Sequence, residues 1–221
     1  MNQLSADIEK NILKSGTSIV GIVCKDGVVL AGDRRTTAGG QIVMSKKSDK
    51  VVPINDFIVV AGTGVAADID LSQRVFAAEL RLKELKTKSR VTVKEAANLF
   101  GLMCYRNIRT PSMIPSVVGM LLAGVNEDGS TQLYTIEPAG GTYKVDDYDA
   151  NFGSGMPYIL GLLERQYKKE MSIKDGVELA KECIKSAMER DPGSGNGIDV
   201  FTVTKDGVRH VVSEQIVVEY K

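Results

Sequence analysis

Thr17-Ser-Ile-Val-Gly-Ile-Val-Cys24, Lys25-Asp-Gly27 and Val28-Val-Leu-Ala31 read together as strand, turn and strand. β-Branched residues suit a pleated, half-buried surface, and Asp-Gly tolerates the backbone angles of a tight reversal. The pattern recurs at residues 51–54 and 57–61 around Asn55-Asp56, so the first sixty residues behind the polar leader read as an antiparallel meander. Two helices follow. Leu71, Val75, Ala78, Leu82 and Leu85 recur at four-and-three spacing and mark one inward face, leaving Phe76 and Leu80 off the stripe as exposed apolar residues. Thr92 and Glu95 form a capping box that opens a second helix with Val93, Ala96, Phe100 and Met103 on one side. Strands return at residues 117–125 and 132–136 about the Glu127-Asp-Gly129 turn, and shorter ones run on to Phe152. Helices at 156–167 and from Ser172, the latter with Val177, Ala180, Ile184 and Ala187 inward, precede a closing hairpin of 198–204 and 208–212. Strands come in blocks and helices in pairs, with no regular strand-helix alternation. The fold class is therefore α/β (α+β): a four-layer α/β/β/α sandwich of two antiparallel sheets with a helical layer outside each.

The 221 residues suffice for one core burying roughly 70–75% of the unfolded surface, and no linker-like stretch divides them. Twenty-eight basic residues balance 28 acidic ones and are interspersed with them, which gives no support for binding nucleic acid or an anionic membrane through a basic face. No stretch approaches the ~20 apolar residues of a membrane span, and residues 1–16, with Asp7, Glu9 and Lys10, lack a signal-sequence core. A soluble, cytoplasmic protein is expected. Cys24, Cys104 and Cys183 are odd in number and lie in apolar runs without a Cys-x-x-Cys pair, which fits buried thiols; neither a metal nor a cofactor is expected.

Hydrolases of the Ser-His-Asp or Cys-His kind need a histidine, and the chain has only His210, which follows the Asp206-Gly207 turn near the end and reads as structural. Gly16-Thr17 suggests another base. On its own Thr17 is a β-branched strand residue, but a cut before it would put a hydroxyl nucleophile and a free α-amine on one residue. Such an amine titrates at roughly 7.7–8.0 and can take the hydroxyl proton as His does for Ser. A buried lysine with a lowered pKa could support it.

Four segments then stand in order: Gly16-Thr17 at a strand start, Val28-Val-Leu-Ala-Gly-Asp33-Arg-Arg, Ala61-Gly-Thr-Gly64-Val-Ala-Ala-Asp68, and Arg190-Asp191-Pro-Gly-Ser194-Gly-Asn-Gly-Ile-Asp199. From Gly16 to about residue 215 the chain resembles the proteasome β subunits of archaeal type, threonine peptidases with the N-terminal-nucleophile hydrolase fold. The resemblance implies that residues 1–16 are a propeptide removed by self-cleavage at Gly16-Thr17, leaving 17–221 as one peptidase domain. It implies Thr17 as nucleophile, Asp33 as the carboxylate that orients a lysine, and Lys50 as that lysine. The Asp33-to-Lys50 spacing is one residue longer than the family pattern, and strict spacing would land on Asp49. Lys50 is preferred because Lys50-Val-Val-x-Ile54 matches the strand that follows that lysine, with Lys46 and Lys47 as substitutes. A surface salt bridge is the plain alternative for Asp33 and Lys50.

By the same resemblance Gly64 supplies the oxyanion N–H, and Ser154, Asp191 and Ser194 surround the Thr17 amine, although all of these types also serve ordinary turns and helix starts. Thr37, Gly64 and Ala66 would pair with an extended substrate, and Thr36, Val52, Gly62, Ala66 and Asp70 would shape the specificity pocket. Glycine at 62 predicts a deep pocket, and Asp70 predicts some preference for Arg or Lys. The implied partners are other β subunits in a seven-membered ring, proteasome α subunits and unfolded polypeptides. Two other readings compete. Gly62-x-Gly64-x-x-Ala67 after a strand also fits a dinucleotide-binding turn, although that unit wants a parallel strand on either side. A non-catalytic ring subunit of the same fold is the other, against which the complete Thr17, Asp33 and Lys50 set argues.

Overall fold

The structure is a computed structural model describing residues 16–38, 42–113 and 116–216; of the expected propeptide, all but Gly16 lies outside the described residues. Strands β1 (Ile19–Cys24) and β2 (Gly27–Asp33) form the hairpin that opens the chain, with Cys24 opposite Gly27. A two-stranded ribbon, β3 (Thr36–Ala38) and β4 (Ile42–Ser45), follows and has no counterpart in the sequence reading. Next come β5 (Val51–Pro53), β6 (Ile58–Gly64), helices α1 (Ala66–Thr87) and α2 (Val93–Arg109), and strands β7 (Val118–Val125), β8 (Thr131–Ile136), β9 (Thr142–Val145) and β10 (Tyr148–Asp149). Helices α3 (Met156–Gln166) and α4 (Ile173–Met188) precede the closing hairpin of β11 (Gly197–Thr204) and β12 (Gly207–Gln215).

The strands form two five-stranded sheets in the orders β10-β1-β2-β11-β12 and β5-β6-β7-β8-β9, every pair antiparallel. This corrects the single meander expected for the first sixty residues. The free edge of β2 is taken by β11, with Ile198 opposite Asp33, so β5 and β6 start the second sheet instead. Period-two alternation then sorts side chains between the layers. Val20, Ile22, Val29, Ala31 and Val200 pack with α3 and α4, while Ile19, Val28, Leu30 and Val203 meet Val59, Ala61, Leu121 and Leu133 of the second sheet. The other face of that sheet, with Val60, Met120 and Leu122, packs on Phe76, Leu80, Ala96 and Phe100 of α1 and α2.

Helix α1 overturns one expectation. Its Leu71, Val75, Leu82 and Leu85 are 41–60% exposed and Ala78 is exposed too, whereas Phe76 and Leu80 are fully buried. The helix carries two apolar stripes, and the one with fewer residues holds the aromatic anchor. Phe76 meets Phe100 edge-on at 5.2 Å between centroids, a contact that adds to the large area both rings bury. The α2 capping box forms as expected: Glu95 N donates to Thr92 Oγ1 (3.3 Å) and Thr92 N to Glu95 Oε2 (3.0 Å). No described helix is long and apolar enough to cross a membrane.

Candidate active site

Sheet register brings the two ends of the β1–β2 hairpin together. Ile19 lies opposite Gly32, so Thr17 and Ser18, just before β1, meet Asp33 at the end of β2, whose N–H donates to Ser18 O. Asp33 is 1% exposed and its carboxylate is fully engaged. Oδ1 accepts from Lys50 Nζ (2.7 Å) and Ser18 N (2.9 Å), while Oδ2 accepts from Arg35 N and Gly195 N, both at 2.9 Å. Three backbone donors and an ammonium take the place of water around it.

Lys50 stands just before β5 and is 8% exposed, whereas Lys46, Lys47 and Asp49 are exposed on the preceding loop. Burial pushes the Lys50 ammonium below its usual range, against the opposing pull of Asp33. Its Nζ also donates to Gly16 O (3.0 Å), the same oxygen that accepts from Thr17 Oγ1 (2.8 Å). Hydroxyl and ammonium thus converge on the carbonyl of the Gly16-Thr17 peptide. Gly16 is held tightly there: its N–H donates to Thr37 Oγ1 (3.0 Å), and a Cβ on it would lie 2.0 Å from Gly193 Cα.

The nitrogen side of the same peptide has its own group. Thr17 N donates to Ser154 Oγ (3.0 Å), and Ser154 Oγ donates to Asp191 Oδ2 (2.6 Å). Ser194 Oγ donates to the same Asp191 oxygen at 2.6 Å, which leaves Ser18 Oγ as donor in its 2.7 Å bond to Ser194 Oγ. Ser18, missed in the sequence, was identifiable only as the hydroxyl neighbour of Thr17. Of the thiols, burial pushes Cys24, Cys104 and Cys183 up to about 12, so none is a nucleophile near neutral pH.

Beside this peptide opens a cavity of about 470 Å³, lined by Thr36, Val52, Gly62, Gly64, Ala66 and Asp70 together with Gly16, Thr17 and Lys50. Thr37 is the exception among the expected binding residues, its side chain being buried on Gly16 N. Gly64 ends β6 at φ +123°, and a Cβ there would meet Val117 O at 2.0 Å, so glycine is required. Gly62 does not deepen the pocket as expected. A Cβ at 62 would lie 2.6 Å from Ile69 Cγ2, so α1 already fills that space. Nor does Asp70 present a lone carboxylate: Arg74, one turn on and lining the same cavity, pairs with it at 2.7 Å. Ile69, Gln73 and Arg74 are lining residues the sequence reading missed; for Gln73 and Arg74, three and four residues beyond Asp70, helical spacing was the available signal. The dinucleotide reading of Gly62-x-Gly64-x-x-Ala67 is overturned, because β6 lies between antiparallel β5 and β7 and not in a parallel βαβ unit.

Comparison with known proteins gives the family. A model of the family described as "Proteasome subunit" matches residues 13–203. The "Proteasome subunit beta" of Archaeoglobus profundus is 37% identical over 210 residues, 95% of this chain and 94% of that protein. That of Nanoarchaeum equitans is 36% identical over 198 residues (90% and 98%), and "Proteasome subunit beta 1" of Thermococcus onnurineus is 38% identical over 201 (91% and 95%). The chain belongs to the proteasome subunit family, as a β subunit of archaeal type.

Proposed function

We propose that the chain is a threonine endopeptidase subunit of a cytoplasmic proteasome core, and that it frees its own nucleophile by cutting Gly16-Thr17. The observation that carries this reading is the pair of bonds on Gly16 O, from Thr17 Oγ1 and from Lys50 Nζ. In self-cleavage Thr17 Oγ attacks the Gly16 carbonyl carbon, and the ammonium of Lys50 offsets the charge that develops on the oxygen. The proton given up by Thr17 Oγ ends on the departing Thr17 nitrogen beside Ser154 as the C–N bond breaks, leaving Gly16 as an ester on Thr17 Oγ, which water hydrolyses to the Gly16 carboxylate and the free hydroxyl. Residues 17–221 then begin with a free amine among Ser154, Asp191 and Ser194.

In peptide hydrolysis that amine, through a water, takes the Thr17 hydroxyl proton and returns it to the leaving nitrogen. Asp33 holds the Lys50 ammonium in position and opposes the loss of its proton that burial favours, and the N–H of Gly64 receives the oxyanion. An extended, unfolded polypeptide pairs along Thr37, Gly64 and Ala66 with its side chain in the adjoining cavity. Membership of the family implies assembly with other subunits into a proteasome particle; in our reading these are β subunits in a seven-membered ring and flanking α subunits. The test is the intact mass of wild type and Thr17→Ala after co-assembly with the α partner. Wild type is expected to lose residues 1–16 and gain peptidase activity while Thr17→Ala does neither. An assembled wild-type particle that keeps the leader and cleaves nothing would favour the non-catalytic scaffold.

A further inference from the structure

One wall of the cavity carries a polar group that the proposed reaction does not use. Gln73, on α1, is 8% exposed, and its Nε2 is buried without a hydrogen-bond acceptor among the described residues. That atom lies 3.5 Å from the point a Cβ on Gly62 would occupy. A buried donor left unpaired is unfavourable, and pairing it with a ligand recovers that loss. Around it the walls are apolar, with Val52, Ile54, Ile69 and Ala77. Four charged groups line the cavity: Asp70 and Arg74, 66–69% exposed and paired with each other at 2.7 Å, Lys50, paired with Asp33, and the exposed Asp49. The lining therefore carries two acidic and two basic side chains beside its apolar residues, with one buried carboxamide nitrogen left unpaired.

We propose that Gln73 is a specificity-determining residue, and that the cavity prefers glutamine at the substrate position whose carbonyl Thr17 attacks. This rests on the peptidase reading above. A carboxamide is the complement that fits Gln73 whichever way its own amide is turned, since each partner offers one donor and one acceptor. With Nε2 as the buried, unpaired atom, an ammonium or guanidinium would set donor against donor there, whereas a substrate carbonyl oxygen pairs it. A carboxylate would add a net charge to a balanced pocket, and Arg74 could compensate it only by leaving Asp70. Methionine matches glutamine in length and fits the walls but leaves the amide unpaired. Reaching Nε2 requires displacement of the Ile69 side chain, which stands 2.6 Å from the same Gly62 reference point.

The experiment uses processed, assembled particles and four fluorogenic peptides that differ only in Gln, Met, Glu or Arg at the cleaved position. In wild type kcat/KM for Gln is expected to exceed that for Met by about tenfold, the size of one buried hydrogen bond. Gln73→Met, which conserves volume, should bring the Gln-to-Met ratio to about one. Gln73→Glu should move the preference toward Arg. Each ratio is measured within a single preparation, so differences in overall activity cancel. A wild-type ratio near one, a ratio unchanged by Gln73→Met, or Arg or Glu as the fastest wild-type substrate would each overturn the inference while leaving the peptidase intact. A wild-type particle that cleaves none of the four and keeps its leader would overturn the peptidase reading, and the inference with it.

Discussion

Replacing Asp33 by Asn tests whether the carboxylate is the organising group of the site. Asp33 is an acceptor at both oxygens, with Lys50 and the Ser18 N–H on one and the Arg35 and Gly195 N–H groups on the other. An amide keeps the shape but turns one oxygen into a donor, so two of the four donors must face an NH2 group whichever way it is placed. In both placements the buried ammonium of Lys50 loses its counter-charge, a change that costs about 3–5 kcal/mol. If the backbone pair faces the NH2 group, two unsatisfied N–H groups cost about 1–3 kcal/mol each in addition. Either way a loss of about 4 kcal/mol or more is expected, which lowers the midpoint of a domain this size by roughly 8–16 °C or more. Lys50→Met should be milder, because Asp33 retains three backbone donors and the burial of an ammonium is relieved. Thermal and urea unfolding of the unprocessed chain in a Thr17→Ala background would measure both without interference from self-cleavage. An Asp33→Asn loss below about 1 kcal/mol, as for a surface ion pair, or a Lys50→Met loss as large as that of Asp33→Asn, would refute the reasoning.

In α1, Phe76→Ala should cost about 3–5 kcal/mol and Leu82→Ala under about 1 kcal/mol in urea unfolding, the reverse of what the apolar stripe of the sequence suggests. Gly64→Ala should lower stability by about 2 kcal/mol or more, from the strained φ and the overlap with Val117 O, and should also abolish peptidase activity in the assembled particle. Lys83 and the Thr92 cap hold the Glu95 carboxyl at about 2, below its ordinary 4.5. The stabilisation is therefore present above pH 4.5 and lost as the pH falls toward 2. Glu95 is half exposed, so solvent screening keeps the effect small. Glu95→Gln should be less stable than wild type by up to about 1 kcal/mol at pH 7, with the gap closing between pH 4.5 and 2 in urea titrations at each pH.

Strands with period-two alternation and helices with a capping signal were legible because local chemistry decides them, as at residues 19–24 and 93–109. What was not legible depends on which surface meets which. Asn55-Asp56 marks a turn, but nothing nearby says that its hairpin joins β7 and not β2; that is decided by β11, over 160 residues beyond β2, taking the β2 edge. On α1 the period admits two stripes, and the choice falls to Phe76 because Phe100, on another helix, is there to receive it. The stripe that loses, Leu71 through Leu85, stays exposed on the isolated chain. An apolar face of that length on a subunit of an assembling family is a surface suited to another subunit.

The candidate site was read from a resemblance, and strand register accounts for only part of how its residues come together. Asp33 follows from the β1–β2 register, whereas Ser154, 137 residues from Thr17, is brought to it by a loop that no spacing in the chain announces. Lys50 is the instructive case, because spacing alone pointed to Asp49. The residues between β4 and β5 belong to no ladder, and their loop is anchored by Ser48, whose N–H donates to Arg34 O and whose Oγ meets Thr36 Oγ1 at 2.6 Å. An extra residue there lengthens an exposed loop without moving β5, at little energetic cost. The lysine is therefore located by the strand it precedes and not by its distance from the aspartate: Val51 pairs opposite Ala61, Gly62 N donates to Lys50 O, and from that fixed backbone the side chain reaches Asp33 and Gly16 together.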